Sequence, residues 1–188
     1  MVGVMAVLSA LSGSCASAPP PRVHTLPDDP AMRDGAVHAL GEALWEGIAR
    51  GDVLSTLATD DELEVLVDGE ANTRLRLRRP GLRARLGERM HTIPPQLAGA
   101  SYVGVCAQDA RDHDEDSGLG LREPSWVVAR VLIAGQVAGS SRRIALWVDG
   151  PFVYDGDHFV AIELIAIESP RWEHSDLELG SCDVSDGL

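Results

Sequence analysis

Apolar residues first fall into a regular pattern across residues 31–51. Val37, Leu40, Leu44, Trp45 and Ile48 recur at three- and four-residue spacing, which lines one face of a helix. Gly51 is a stop, and Asp52 a candidate cap for a short second helix over 53–58. From 62 to 67 the period drops to two. Leu63, Val65 and Val67 oppose Glu62, Glu64 and Leu66. After a turn-like stretch at 68–72, Leu75 and Leu77 oppose Arg74, Arg76 and Arg78. This alternation predicts a β-hairpin. Its glutamates would face its arginines, at about 0.2–1 kcal/mol per cross-strand pair.

Pro80 then opens a third helix, since proline suits a first turn. Leu82, Leu86 and Met90 mark its buried side, and Pro94-Pro95 closes it. Strands are predicted at 101–108, 125–133, 143–148 and 158–167. The last follows an Asp155-Gly156 turn that is preceded by Phe152-Val153-Tyr154. The implied fold class is α+β: a curved antiparallel sheet, cone-like, with about three N-terminal helices on one face, in a single domain spanning 31–188.

Composition supports a folded domain. The chain has 188 residues, 45% hydrophobic and 24% charged, which fits a globular protein. With aromatics at 4%, the core must be built from Leu, Val, Ile and Ala. The net charge of −13 argues against a general nucleic-acid binder, because phosphate neutralisation needs excess cations. All the positive charge is arginine, with no lysine, which reads as compositional bias before function.

The first fifteen residues read as an address. Met1 to Leu11 is apolar and uncharged, too short for a bilayer-spanning helix at about 20 residues, but matching the centre of a secretory signal. Small residues before Cys15 resemble a bacterial lipoprotein signal, in which Cys15 is lipidated, although Ser12 stands where an apolar residue is usual. Ordinary cleavage after Ala18 is the second reading, and a cytosolic chain with a disordered start the third. No Arg or Lys precedes the apolar run. Residues 16–30 carry Pro19, Pro20, Pro21, Pro27 and Pro30 and read as an extended tether. The expected location is the bacterial cell envelope, as a membrane-anchored lipoprotein or periplasmic protein, with membrane contact through the lipid only.

In an oxidising compartment, Cys106 and Cys182 remain as a candidate disulfide. It would close a loop of 182 − 106 = 76 residues, worth about 4 kcal/mol in the chain-entropy model. Two separate buried thiols are the alternative.

The order of long helix, short helix, hairpin, helix and long strands resembles the superfamily of nuclear transport factor two and ketosteroid isomerase. The resemblance rests on AVHALGEALWEGIARG (36–51), the strand at 63–67, Pro80-Gly81-Leu82-Arg83, and VYDGDHFV (153–160). It implies a cone with a pocket for a small apolar ligand. It carries over no catalytic residue, because the first helix lacks the tyrosine that those isomerases use.

The remaining chemistry is sparse. Asp112, Asp114, Asp116, Leu119 and Glu123 have calcium-loop spacing, but Ser117 replaces the turn glycine and Pro124 follows. A solvated loop is the simpler reading. The seven arginines between Arg74 and Arg89 suit ion pairing with Glu62 and Glu64, or else a polyanion or anionic lipid. The histidines His24, His38, His91, His113, His158 and His174 have no metal spacing, and no hydrolase, nucleotide or dinucleotide motif occurs.

No metal and no cofactor are expected. Two functions remain. One is a non-catalytic envelope domain that binds a small apolar ligand or another envelope protein. The other is a pocket enzyme of the ketosteroid-isomerase type, in which Asp149 or Glu163 would have to stand as a buried carboxylate in an apolar cavity.

Overall fold

A computed structural model describes residues 30–108, 111–113 and 118–173. Three helices precede an antiparallel sheet in one α+β domain. Helix α1 (Pro30–Ala49) follows the predicted stripe. Leu40, Leu44, Trp45 and Ile48 are all buried, and Gly51 takes a positive φ of 75° just beyond the end. A 3-10 turn at Val53–Thr56 follows, but Asp52 makes no side-chain cap bond.

The predicted hairpin at 62–78 is two helices. Helix α2 (Asp60–Leu66) begins at a reciprocal capping box between Thr59 and Glu62. Helix α3 (Gly69–Thr92) begins at Asp68, whose carboxylate accepts from the Ala71 N–H at 2.7 Å. Both caps satisfy amide N–H groups that a strand would have presented to a ladder. Leu63, Leu66, Ala71, Leu75, Leu82 and Leu86 are buried, and their three-, four- and seven-residue steps outrank the short two-residue alternation. Pro80 lies inside α3, not at its start, so the Arg76 carbonyl loses its helical N–H donor there. Pro94 does end the segment, opening a 3-10 turn at Pro94–Leu97.

The sheet order is β1 (Ala100–Gln108), β3 (Ser125–Val137), β4 (Arg143–Tyr154), β5 (Phe159–Ala161). The short β2 (Arg111–His113) pairs with β3, while β6 (Ala166–Ile167) and β7 (Arg171–Glu173) also pair with β4. The predicted strand at 143–148 and the Phe152–Tyr154 segment are thus one twelve-residue strand. The predicted strand at 158–167 is two short ones. Tyr154 pairs with Phe159 across the expected turn, where Gly156 has φ 101°. Register shifts between Tyr102 and Gly104 and between Val128 and Arg130 bend the sheet.

Alternation along the strands separates two faces. Val105, Ile133, Leu146, Val148 and Phe152 join α1 in the main core. Val127, Val153 and Val160 point the other way and pack with Leu63, Leu66, Ala71 and Leu75 of α2 and α3. Helices therefore lie on both faces rather than one. Further along the second face, Cys106, Leu132, Ala134 and Ala145 form their own buried cluster beside Trp147.

Two glycines let α1 reach the sheet. A Cβ on Gly41 would sit 2.5 Å from the Val105 Cβ and 2.7 Å from the Tyr102 hydroxyl. A Cβ on Gly135 would lie 2.1 Å from the Trp45 ring, so the indole occupies the space that a side chain on β3 would fill.

Gly41→Ala should destabilise the domain by about 1–3 kcal/mol of overpacking, less the roughly 1 kcal/mol that alanine gains in a helix. Gly87→Ala in α3 meets nothing within 4 Å and should stabilise by about 1 kcal/mol. Urea unfolding of the two variants checks the opposite signs.

Candidate functional site

The main core between α1 and the centre of the sheet is shielded from solvent. Leu44, Ile48, Ile133 and Phe152 are fully buried there. Space opens instead where the start of α1 passes over the end of β1 and the start of β3. A cavity of about 440 Å³ is lined by Arg33, Asp34, Val37 and His38 from α1, Val105, Cys106 and Ala107 from β1, and Trp126 from β3.

The wall at Trp126 is an aromatic cluster. The indole meets Phe159 at 4.8 Å between centroids and Tyr154 at 6.3 Å, and Tyr154 meets Phe159 edge-on at 5.4 Å. Such tilted arrangements suit the ring quadrupoles. Burial, then Asp157 and Asp155, push the Tyr154 hydroxyl above its ordinary pKa.

The α1 wall is polar. The Tyr102 hydroxyl stands 3.3 Å from His38 Nδ1 and donates to the His38 carbonyl at 3.1 Å. The two rings lie 5.2 Å apart and tilted by 56°. Burial first, and the Glu42 carboxylate second, push the Tyr102 phenol up to about 12. It is therefore a neutral hydroxyl whose one proton goes to the His38 carbonyl while its oxygen faces the imidazole Nδ1. Arg33 and Asp34 add one charge of each sign to the rim. The arrangement can hold a small molecule with an apolar body and a polar end. Among the described residues the lining has no serine, threonine or lysine side chain, and its one sulfur is that of Cys106.

The carboxylates considered for an enzyme are elsewhere. Asp149 lies 2.5 Å from Arg130 Nε on the second sheet face. Arg130 also pairs with Glu168, which accepts from Arg171 at 2.6 Å, and its guanidinium sits 4.7 Å over the Trp147 ring. Glu163 pairs with Arg78 at 3.7 Å. Neither is an isolated carboxylate in an apolar cavity. Sequence reading did not find the Arg130 network, because its members are joined only by strand register (Arg130 opposite Asp149).

Cys106 lies in β1 and is 3% exposed. Cys15 and Cys182 lie outside the described residues. Most of the candidate calcium loop does too: Asp112 falls in β2, while Asp114 and Asp116 are outside. No metal-binding group occurs among the described residues. His38 was one of the scattered histidines. The one local hint was its place on α1 at i, i+4 from Glu42, flanking Gly41.

Raising the pH should expose the Tyr102 environment. Its folded pKa lies above the unfolded value of 10.0, so this stabilisation is present below pH 10 and is lost as pH rises towards 12. Tyr102→Phe should remove the phenolate absorbance transition near pH 12 and reduce the loss of stability over that window. A transition of Tyr102 at its ordinary pKa would contradict the burial described. No family model matches the chain, and no curated protein or solved structure is similar to it.

Proposed function

We propose that this is an exported, lipid-anchored envelope domain that binds a small amphipathic ligand without transforming it. The observation that carries the binding reading is the α1–β1 cavity, with Trp126 on one side and His38, held beside Tyr102, on the other. The ligand's apolar part would lie on Trp126 and Val105, and its polar end at the α1 rim. The isomerase-type alternative has less support, since Asp149 and Glu163 are ion-paired to arginines.

Anilinonaphthalene sulfonate, a small amphipathic fluorophore, provides the test. It should bind the native domain saturably, and Ala107→Trp should fill the cavity and weaken binding at least about tenfold, or 1.4 kcal/mol, with the circular dichroism spectrum unchanged. Equal binding by the two proteins would reject this cavity as the site.

The anchor rests on the apolar run before Cys15 and the proline-rich stretch after it. The proposed Cys106–Cys182 bridge gains support from the engaged Cys106 sulfur, which is not a free thiol. Reach also favours it. β7 pairs with β4 at Arg143–Ala145, and Cys106 pairs with Leu132, which pairs with Trp147. The gap is therefore three strand spacings across and four residues along, about 19 Å, against roughly 30 Å for the nine residue steps from Glu173 to Cys182.

Mass spectrometry of membrane-extracted protein checks both. The N-terminal Cys15 peptide should carry acyl mass, and Cys15→Ser should move the protein to the soluble fraction. The non-reduced domain should weigh two hydrogens less than the dithiol. Unmodified Cys15 rejects the anchor, and free thiols reject the bridge.

A further inference from the structure

Helix α3 carries its arginines on two flanks of a buried stripe. Arg74, Arg78, Arg85 and Arg89 lie on one flank, and Arg76, Arg79 and Arg83 on the other, spaced at i, i+3 and i+7. Expectation paired these arginines with Glu62 and Glu64 across a hairpin. In the folded domain Glu62 instead turns back to the Thr59 N–H in the α2 capping box. Asp60 meets the second flank in its place.

Asp60 does not neutralise that flank. It engages Arg79 closely, at 2.7 Å to Nη1, and Arg79 Nη2 also donates to the Ala58 carbonyl. Arg79 is therefore fixed, and its Nε has no acceptor among the described residues. Arg76 donates to the Asp60 carbonyl at 3.1 Å, but its charge contacts with Asp60 and Glu64 are both 3.9 Å long. Arg83 has no hydrogen bond or ion pair among the described residues.

Together these groups border a surface groove of about 310 Å³, lined by Asp60, Arg76, Arg79, Pro80 and Arg83. Three guanidinium groups against one carboxylate leave the lining at +3 − 1 = +2, in a chain whose net charge is −13. The corresponding groove on the other flank has Glu163 beside Arg78 and Arg85, with Arg78 paired to it.

We propose that the Arg76–Arg79–Arg83 groove is an oxyanion site that takes a phosphate or phosphomonoester dianion. Planar guanidinium forks match the edges of a tetrahedral phosphate, each giving two parallel N–H donors. Arg79 and Asp60 hold the floor of the groove, and Arg76 and Arg83 supply the donors that close on the anion. Pro80 places a rigid apolar edge between them. The site is separate from the α1–β1 cavity and does not depend on it.

The test uses inorganic phosphate and the whole domain, followed by amide and guanidinium NMR shifts at constant ionic strength in a chloride background. The expected result is a saturable shift centred on residues 60 and 76–83, weakened at least tenfold in Arg83→Gln and Arg76→Gln and unchanged in Arg85→Gln on the other flank.

A second arm distinguishes the source of the phosphate. Retention on phosphatidylcholine vesicles containing phosphatidic acid, abolished by Arg83→Gln, would support a lipid headgroup. Saturable phosphate binding without such retention would support a soluble phosphorylated molecule. Three outcomes would overturn the proposal: no saturable shift, the same shift with chloride alone, or equal weakening in Arg85→Gln.

Discussion

The close approach of α1 to the sheet is the contact on which the rest of the domain depends. Gly41 brings the helix backbone down onto Val105 and Tyr102, and Gly135 clears the strand surface for the Trp45 indole. The two glycines are complementary, one on each side of the interface. Side chains at either position would lift α1 away from β1 and β3 and separate the apolar stripe from Ile133 and Leu146. Dispersion and apolar burial both fall steeply with such a gap. The same seating brings His38 to Tyr102 and leaves space nearer the helix start, so the cavity is a consequence of where α1 is held.

The second sheet face is stabilised differently. At one end, α2 and the first turns of α3 cover Val127, Val153 and Val160. Beyond it, polar groups border an apolar cluster: Arg130 spans Asp149, Glu168 and the face of Trp147. Arg130 is half-shielded, and a guanidinium there is acceptable because carboxylates meet it and its flat face lies on an indole. Along α3, the charged ends of Arg79 and Arg78 reach Asp60 and Glu163. A chain with no lysine thus uses its only permanent cation for packing as well as for charge.

The segment from 62 to 78 shows how a pattern can be read at the wrong period. Leu63, Val65 and Val67 alternate, yet Val65 is 58% exposed and Leu77 is 77% exposed. The alternation was real in sequence but not used in the fold. Glu, Leu and Arg dominate the stretch, and these are good helix formers. The signals that outweighed alternation were also local: Thr59 three residues before Glu62, and Asp68 three before Ala71.

The sequence by itself determined the α+β class, helix α1 with its stop at Gly51, the strands around 101–108 and 125–133, and the turn at Asp155-Gly156. These follow from periodicity and from backbone preferences that neighbours a few residues away can enforce. Tertiary structure decided what distant residues share. It made one strand of 143–154, put helices on both sheet faces, joined Arg130 to Asp149 and Glu168, and set Trp126 across a cavity from His38. Those residues are separated by tens of positions along the chain, so only strand register and the depth to which α1 sinks could bring them together.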